Sequence, residues 1–166
     1  LRLRPAFAGL ARFGGSPIVS VDLWLDRVVV DRPMLGLRDS EMEWVFDKGA
    51  LHGRAGAPQH LSFIVSAAYR SAPKPNAELV EAAVSALRRY FPSMADAAVT
   101  RSLVLREPQA TFASSPELEA LRPGPVSEVE GLYLAGEWTD TGLPATIEGA
   151  VRSGQRAADA ILSPGA

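Results

Sequence analysis

The sequence predicts an α+β chain: a mostly antiparallel sheet with helices, closed by a separate strand–helix unit. Three observations carry this expectation. Ile18 to Leu25 alternates with the period of a strand, and Asn76 to Phe91 repeats its apolar residues with the period of a helix. Near the end, a short apolar run passes through Gly136-Glu-Trp138 into a segment rich in small residues. Short connections between the early strands favour an antiparallel meander over crossovers.

Composition narrows the function classes. A chain of 166 residues, 47% apolar and 22% charged, has the make-up of an ordinary globular domain. Its formal charge of -2 gives no basis for nucleic-acid binding. No basic run suggests a membrane anchor, and no apolar stretch approaches the ~20 residues that span a bilayer. Zero cysteines exclude disulfides, thiolate metal sites, a cysteine nucleophile and a flavin tethered through sulfur. Two histidines, His52 and His60, leave little for a metal centre. The chain starts without methionine, and we expect it to be cut from a longer protein.

Residues 1–16 read as a helical remnant or linker, ended by Gly14-Gly-Ser-Pro17. The first strand should bury Val19, Val21, Leu23 and Leu25, with Val28-Val-Val30 continuing it. Glu43 to Asp47 and His60 to Ala67 read as two further strands around a glycine-rich loop. The helix over Asn76 to Phe91 should bury Leu79, Val80, Ala83, Val84, Leu87 and Phe91, with Asn76 as cap and Pro92 as stop. Ala97 to Arg106 reads as a strand, 107–125 as a Pro- and Ser-rich connection, Leu132 to Ala135 as a short buried strand and Ala145 to Leu162 as the closing helix. The domain expectation is a sheet-bearing part over 17–125 and a terminal unit over 126–166.

The chemistry concentrates in that terminal unit. Gly136 allows backbone angles barred to other residues, and Glu137 follows at a strand's carboxyl end, where open α/β folds bind ligands. Pro144 to Ile147 lie at the start of a helix whose free N–H groups favour an electron-rich ligand atom. Gly149, Ala150, Ser153, Gly154, Ala157 and Ala158 make a small-residue face. Glycine inside a helix costs roughly 1 kcal/mol relative to alanine, so either a ligand or tight packing must offset it. Asp140 is expected to shape the turn through bonds to backbone.

Elsewhere the plainer reading prevails. His52 and His60 read as solvated loop residues, and Asp39, Glu41 and Glu43 as the solvated face of a strand. Trp24, Trp44, Phe46 and Phe63 suit either a core or a lipophilic channel. No serine or threonine has a base in the right context for nucleophilic catalysis.

Leu132-Tyr-Leu-Ala-Gly-Glu-Trp138, followed by Gly142-Leu-Pro-Ala-Thr-Ile-Glu-Gly-Ala-Val-Arg-Ser-Gly154, resembles the carboxy-terminal flavin motif of the FAD-dependent amine oxidase and carotenoid desaturase superfamily. The wording is most similar to the squalene-associated FAD-dependent desaturases, or hydroxysqualene dehydroxylases. Pro17-Ile-Val-Ser-Val-Asp-Leu-Trp-Leu-Asp26, Trp44-Val-Phe-Asp-Lys48 and Arg106-Glu-Pro-Gln-Ala-Thr-Phe112 resemble that family in the same order.

The resemblance implies non-covalent FAD, met at its ribityl–pyrophosphate part by Gly136 and Glu137, with Trp138 beside the turn. It further implies that Leu143, Pro144, Ala145, Thr146 and Ile147 approach the isoalloxazine. The terminal strand–helix unit would then belong to a Rossmann-like FAD domain. No G-x-G-x-x-G occurs in the chain, so the resemblance implies a carboxy-terminal fragment lacking its dinucleotide-binding half. Weak or absent FAD binding and no activity are expected of it alone, with homodimerisation through exposed apolar surface.

For the parent, the resemblance implies reduction of hydroxysqualene to squalene in hopanoid biosynthesis, with a lipophilic isoprenoid substrate. It also implies a cytoplasmic location, peripheral at the membrane. Rival expectations are a carotenoid or phytoene desaturase, an amine oxidase, and a non-catalytic module that has lost FAD. No catalytic acid or base is assigned, and no metal.

Overall fold

In a computed structural model, residues 5–163 are described. The chain divides into two compact units, Ser16–Ala110 and a second made of residues 1–15 with 111–166.

The first unit is a sheet covered on one face by a helix. Its strands are β1 (Gly15–Leu25), β2 (Met34–Gly36), β3 (Trp44–Asp47), β4 (Gln59–Val65) and β5 (Val99–Phe112), in spatial order β2-β3-β4-β1-β5. Pairing is antiparallel from β2 through β1, with Val21 opposite Phe63 and Val45 opposite Phe63 on its other side. β5 lies beside β1, and just beyond their ends Asp26 N–H donates to the Ala98 carbonyl at 3.1 Å. The short helix α1 (Lys48–Leu51) follows β3, capped by Asp47, whose Oδ1 accepts from Ala50 N–H at 2.9 Å.

Period two decides which face is buried. Val19, Val21, Leu23 and Leu25 are all fully buried, as alternation requires, and Leu61, Phe63 and Val45 share their side. Helix α2 (Asn76–Tyr90) covers this face with Leu79, Ala83, Val84 and Leu87. Its first residue is not a capping side chain: Asn76 Oδ1 accepts from Arg106 Nη1 at 2.7 Å. Arg106 also donates to the Ala72 and Lys74 carbonyls, so it fastens the loop that leads into α2. Pro92 starts the next turn at the predicted stop.

Three sequence expectations change here. Val29 and Val30 do not continue β1. They lie in a loop held by Gln59, which is buried, accepts both their amides and donates to the Val30 carbonyl and to Asp47. Residues 39–43 form no strand: Glu41 accepts from Ser71 and Lys74, and Glu43 accepts from Ser66 N–H. β5 runs past Pro108 to Phe112; it is an edge strand, the place in a sheet where proline is tolerated.

The second unit opens with a 3-10 helix, Pro5–Arg12, and continues after Phe112 with α3 (Pro116–Glu119) and α4 (Ile147–Leu162). Leu132 to Ala135 is extended but builds no ladder; it makes one antiparallel bridge, Val126 with Tyr133. Leu134 N–H donates to the Pro125 carbonyl at 2.8 Å, and Leu132 is exposed rather than buried. Pro125 has no N–H to return, which limits the pairing.

Candidate functional site

The turn from Gly136 to the first residue of α4 holds every cofactor-site residue named from the sequence. Gly136 has φ 139°, and a Cβ there would sit 2.4 Å from Trp138 Nε1, so no other residue fits without moving the indole. Its N–H donates to Ser153 Oγ at 2.7 Å, and that hydroxyl donates to the Ala150 carbonyl, which ties the turn to α4. Thr139 is buried and returns to the Gly136 carbonyl through both its N–H and its hydroxyl. Asp140 Oδ1 accepts from Gly142 N–H at 3.1 Å, the side-chain turn bond expected of it.

The organising residue is one that sequence reading passed over. Arg122 lies in the Pro- and Ser-rich connection, and its side chain is 2% exposed. Nη1 donates to Glu119 at 2.7 Å and to the Leu143 carbonyl at 2.8 Å. Nη2 donates to the carbonyls of Glu137 at 2.9 Å and Thr139 at 2.6 Å. One guanidinium therefore gathers both ends of the turn, a use its five fixed donors suit and a lysine's do not. The Glu119 carboxylate neutralises its charge, and the Phe112 ring lies 5.7 Å away. The available signal was a lone arginine flanked by Leu121, Pro123, Gly124 and Pro125, where no charge is otherwise needed.

The remaining predicted residues lie along the exit from this turn. Leu143 is half-buried and Pro144 exposed; Ala145 is half-buried. Thr146 caps α4: its Oγ1 accepts from Gly149 N–H at 3.1 Å. Ile147, the first helical residue, is 86% exposed. The cap leaves the amides of Ile147 and Glu148 without a partner among the described residues, at the positive end of a sixteen-residue helix. Glu137 likewise keeps its carboxylate free of any hydrogen bond or ion pair from a described residue. It lines, with Leu10, Phe13, Phe112 and Trp138, a largely apolar hollow of about 330 Å³.

The small-residue face of α4 divides in two. Gly149, Ser153 and Ala157 are buried, and a Cβ on Gly149 would approach the Pro144 carbonyl to 2.9 Å. That glycine serves close packing of the turn. Gly154 has open space around its Cβ position, and with exposed Ile147, Val151 and Leu162 it belongs to an uncovered surface of the helix.

The structure also separates the aromatic residues. Phe63 is core, whereas Trp24, Trp44 and Phe46 lie on the sheet face opposite α2. His60 is not a loop residue: it lies on β4, and its Nε2 is 2.8 Å from Asp22 Oδ1.

Free amides at a helix start, a free carboxylate and a backbone turn open to close approach fit a flavin, an electron-rich, hydroxyl-bearing group. They are carried on one chain with an antiparallel sheet unit, an α+β arrangement. The chain belongs to the flavin containing amine oxidoreductase family, whose sequence pattern matches residues 2–162. A hydroxysqualene dehydroxylase of Sinorhizobium fredii is 39% identical over 151 residues, 88% of this chain and 32% of that protein. One of Rhodopseudomonas palustris is 66% identical over 62 residues, 37% of this chain and 15% of that protein. A chloroplastic/chromoplastic 15-cis-phytoene desaturase of Solanum lycopersicum is 28% identical over 167 residues, 95% of this chain and 29% of that protein. A solved oxidoreductase from Methanosarcina mazei shares the fold at a TM-score of 0.62 and 17% identity, covering 95% of this chain and 36% of that one. The chain thus spans about a third of the length of the relatives that match most of it.

Proposed function

We propose that this chain is the flavin-contacting, carboxy-terminal part of an FAD-dependent oxidoreductase that converts hydroxysqualene to squalene. The observation that carries the reading is the 39% identity to a hydroxysqualene dehydroxylase over 88% of the chain. In this reading Gly136, Glu137 and Trp138 meet the ribityl–pyrophosphate part of FAD, and Leu143 to Ile147 approach its ring. When bound, reduced FAD supplies a hydride to the carbon that loses its hydroxyl. The free amides of Ile147 and Glu148 favour the electron-rich end of the ring. Arg122 keeps the turn in shape without touching the cofactor. The G-x-G-x-x-G half, which this sequence does not contain, is the proposed partner, and the parent works as a peripheral protein at a membrane that holds its substrate.

The phytoene desaturase similarity favours a second reading, in which hydride passes from an isoprenoid to the flavin. The two are distinguished by joining the chain to its dinucleotide-binding half and supplying FAD. Squalene formed from hydroxysqualene under reducing, anaerobic conditions supports the first reading. New double bonds in phytoene, with no squalene from hydroxysqualene, replace it with the second.

A further inference from the structure

Strand β5 is the long edge of the sheet, and the order of its side chains is complementary to itself. It runs fourteen residues, Val99–Phe112, lies beside β1, and has no strand along its other edge among the described residues. Unpaired backbone along such an edge is a template for another strand. Val104 packs against the core, and Arg106 reaches the Ala72 and Lys74 carbonyls, so these two lie on the α2 face of the sheet. Alternation puts Arg101, Leu103, Leu105 and Glu107 on the opposite face, where Arg101 lies 4.6 Å from the Trp24 ring. All four are exposed, Leu103 to 40% and Leu105 to 53%. The indole faces Arg101, and the Gln109 amide lies 3.5 Å from Glu107; neither charge has an ion-pair partner among the described residues.

Two copies of β5 can lie edge to edge, antiparallel, about a twofold axis through Val104. Arg101 then faces Glu107 of the second copy, and Leu103 faces its Leu105, with both pairs repeated across the axis. Opposite charges and apolar pairs directly across antiparallel strands attract. An axis through Leu103 would instead set Arg101 against Leu105 and Glu107 against Val99. One through Leu105 would set Leu103 against Glu107 and Arg101 against Gln109. Of these three centres, Val104 alone matches charge with charge and leucine with leucine. Pro108 falls opposite Thr100 and, lacking an N–H, closes the ladder just beyond Glu107.

We infer that this chain forms a twofold homodimer by pairing its β5 edges about Val104, which joins the two five-stranded sheets into one. The residues involved all belong to the sheet unit, so the inference does not depend on the flavin reading.

The test is the molar mass of the chain, by light scattering and sedimentation equilibrium, over a range of concentrations. Wild type should be a concentration-dependent dimer. Arg101→Glu or Glu107→Arg alone puts like charges opposite each other at both ends of the ladder and should weaken dimerisation by about 10-fold or more. The two substitutions together exchange the charges and should restore the dimer. Circular dichroism should be the same for all four proteins, which separates lost pairing from lost folding. A wild-type chain that stays monomeric at about 1 mM, reversals that leave the dimer unchanged, or an exchange that restores nothing would each overturn the inference. Loss of the dimer on adding the G-x-G-x-x-G half would overturn it too, by showing that this half occupies the edge.

Discussion

The two units solve the same problem, holding a chain in one conformation, by opposite means. In Ser16–Ala110 the sheet and α2 bury Val21, Leu23, Leu61, Phe63, Leu79 and Leu87 completely, so removal of apolar surface from water holds it together. In the second unit the buried apolar residues among those described are Phe112 and Ala157, while Arg122, Thr139, Thr141 and Ser153 are buried polar groups. There the shape comes from hydrogen bonds converging on one guanidinium. An apolar core tolerates some repacking; a turn that must present bare backbone and a free carboxylate to a ligand cannot fill itself with side chains. Polar cross-links are the means left to it.

The largest effect should come from the apolar core. Phe63→Ala removes a fully buried ring between β1 and β3 and should cost about 3–5 kcal/mol, measured by urea unfolding followed through sheet circular dichroism. A loss below ~1 kcal/mol would show that the sheet unit is not held as described.

Arg122→Met comes next. It keeps much of the bulk but leaves the Glu137, Thr139 and Leu143 carbonyls without their donor, at about 2–4 kcal/mol. Hydrogen exchange should quicken across residues 136–156 and stay unchanged in α2. Equal quickening in both places would erase the distinction between the units. Gly136→Ala is expected to cost about 1–3 kcal/mol, because φ is 139° and the new Cβ meets Trp138. Quenching and shift of tryptophan fluorescence would report the displaced indole.

Thr146→Ala should cost about 1 kcal/mol through loss of the α4 cap, whereas Thr146→Ser should keep most of it; thermal melts of the pair measure the difference. The smallest effect is a pH dependence in the first unit. The Lys74 ammonium, and after it the Ser71 hydroxyl, hold Glu41 below the ordinary carboxylate range. A depressed folded-state value means that this stability is present above the ordinary glutamate range, ~4.3, and is lost as pH falls through the folded value. Glu41→Gln should therefore flatten the acid limb of the stability curve, measured by denaturant midpoints at successive pH values.

The same contrast explains what could be read from the sequence. Period two and the helical period exposed β1, β4 and α2 because their apolar residues face one core. The Gly136–Gly154 run was legible because it needs glycine, a capping threonine and small residues at set places. Arg122 was not, since nothing local shows that a guanidinium three residues after Glu119 reaches carbonyls up to twenty-one positions on. Gln59 and the His60–Asp22 pair stayed hidden for the same reason: each depends on a partner brought by register from 12 to 38 positions away. β2 is three residues long and carries too few positions to show a period.

The central claim is that the polar unit supplies one half of a flavin site. Its most direct test is the visible absorbance of the chain after mixing with FAD and gel filtration, alone and then with the separately produced G-x-G-x-x-G half. The account predicts a colourless chain alone and a stoichiometric yellow complex with the second half. Stoichiometric flavin on the chain alone, or none on the reconstituted pair, would contradict it.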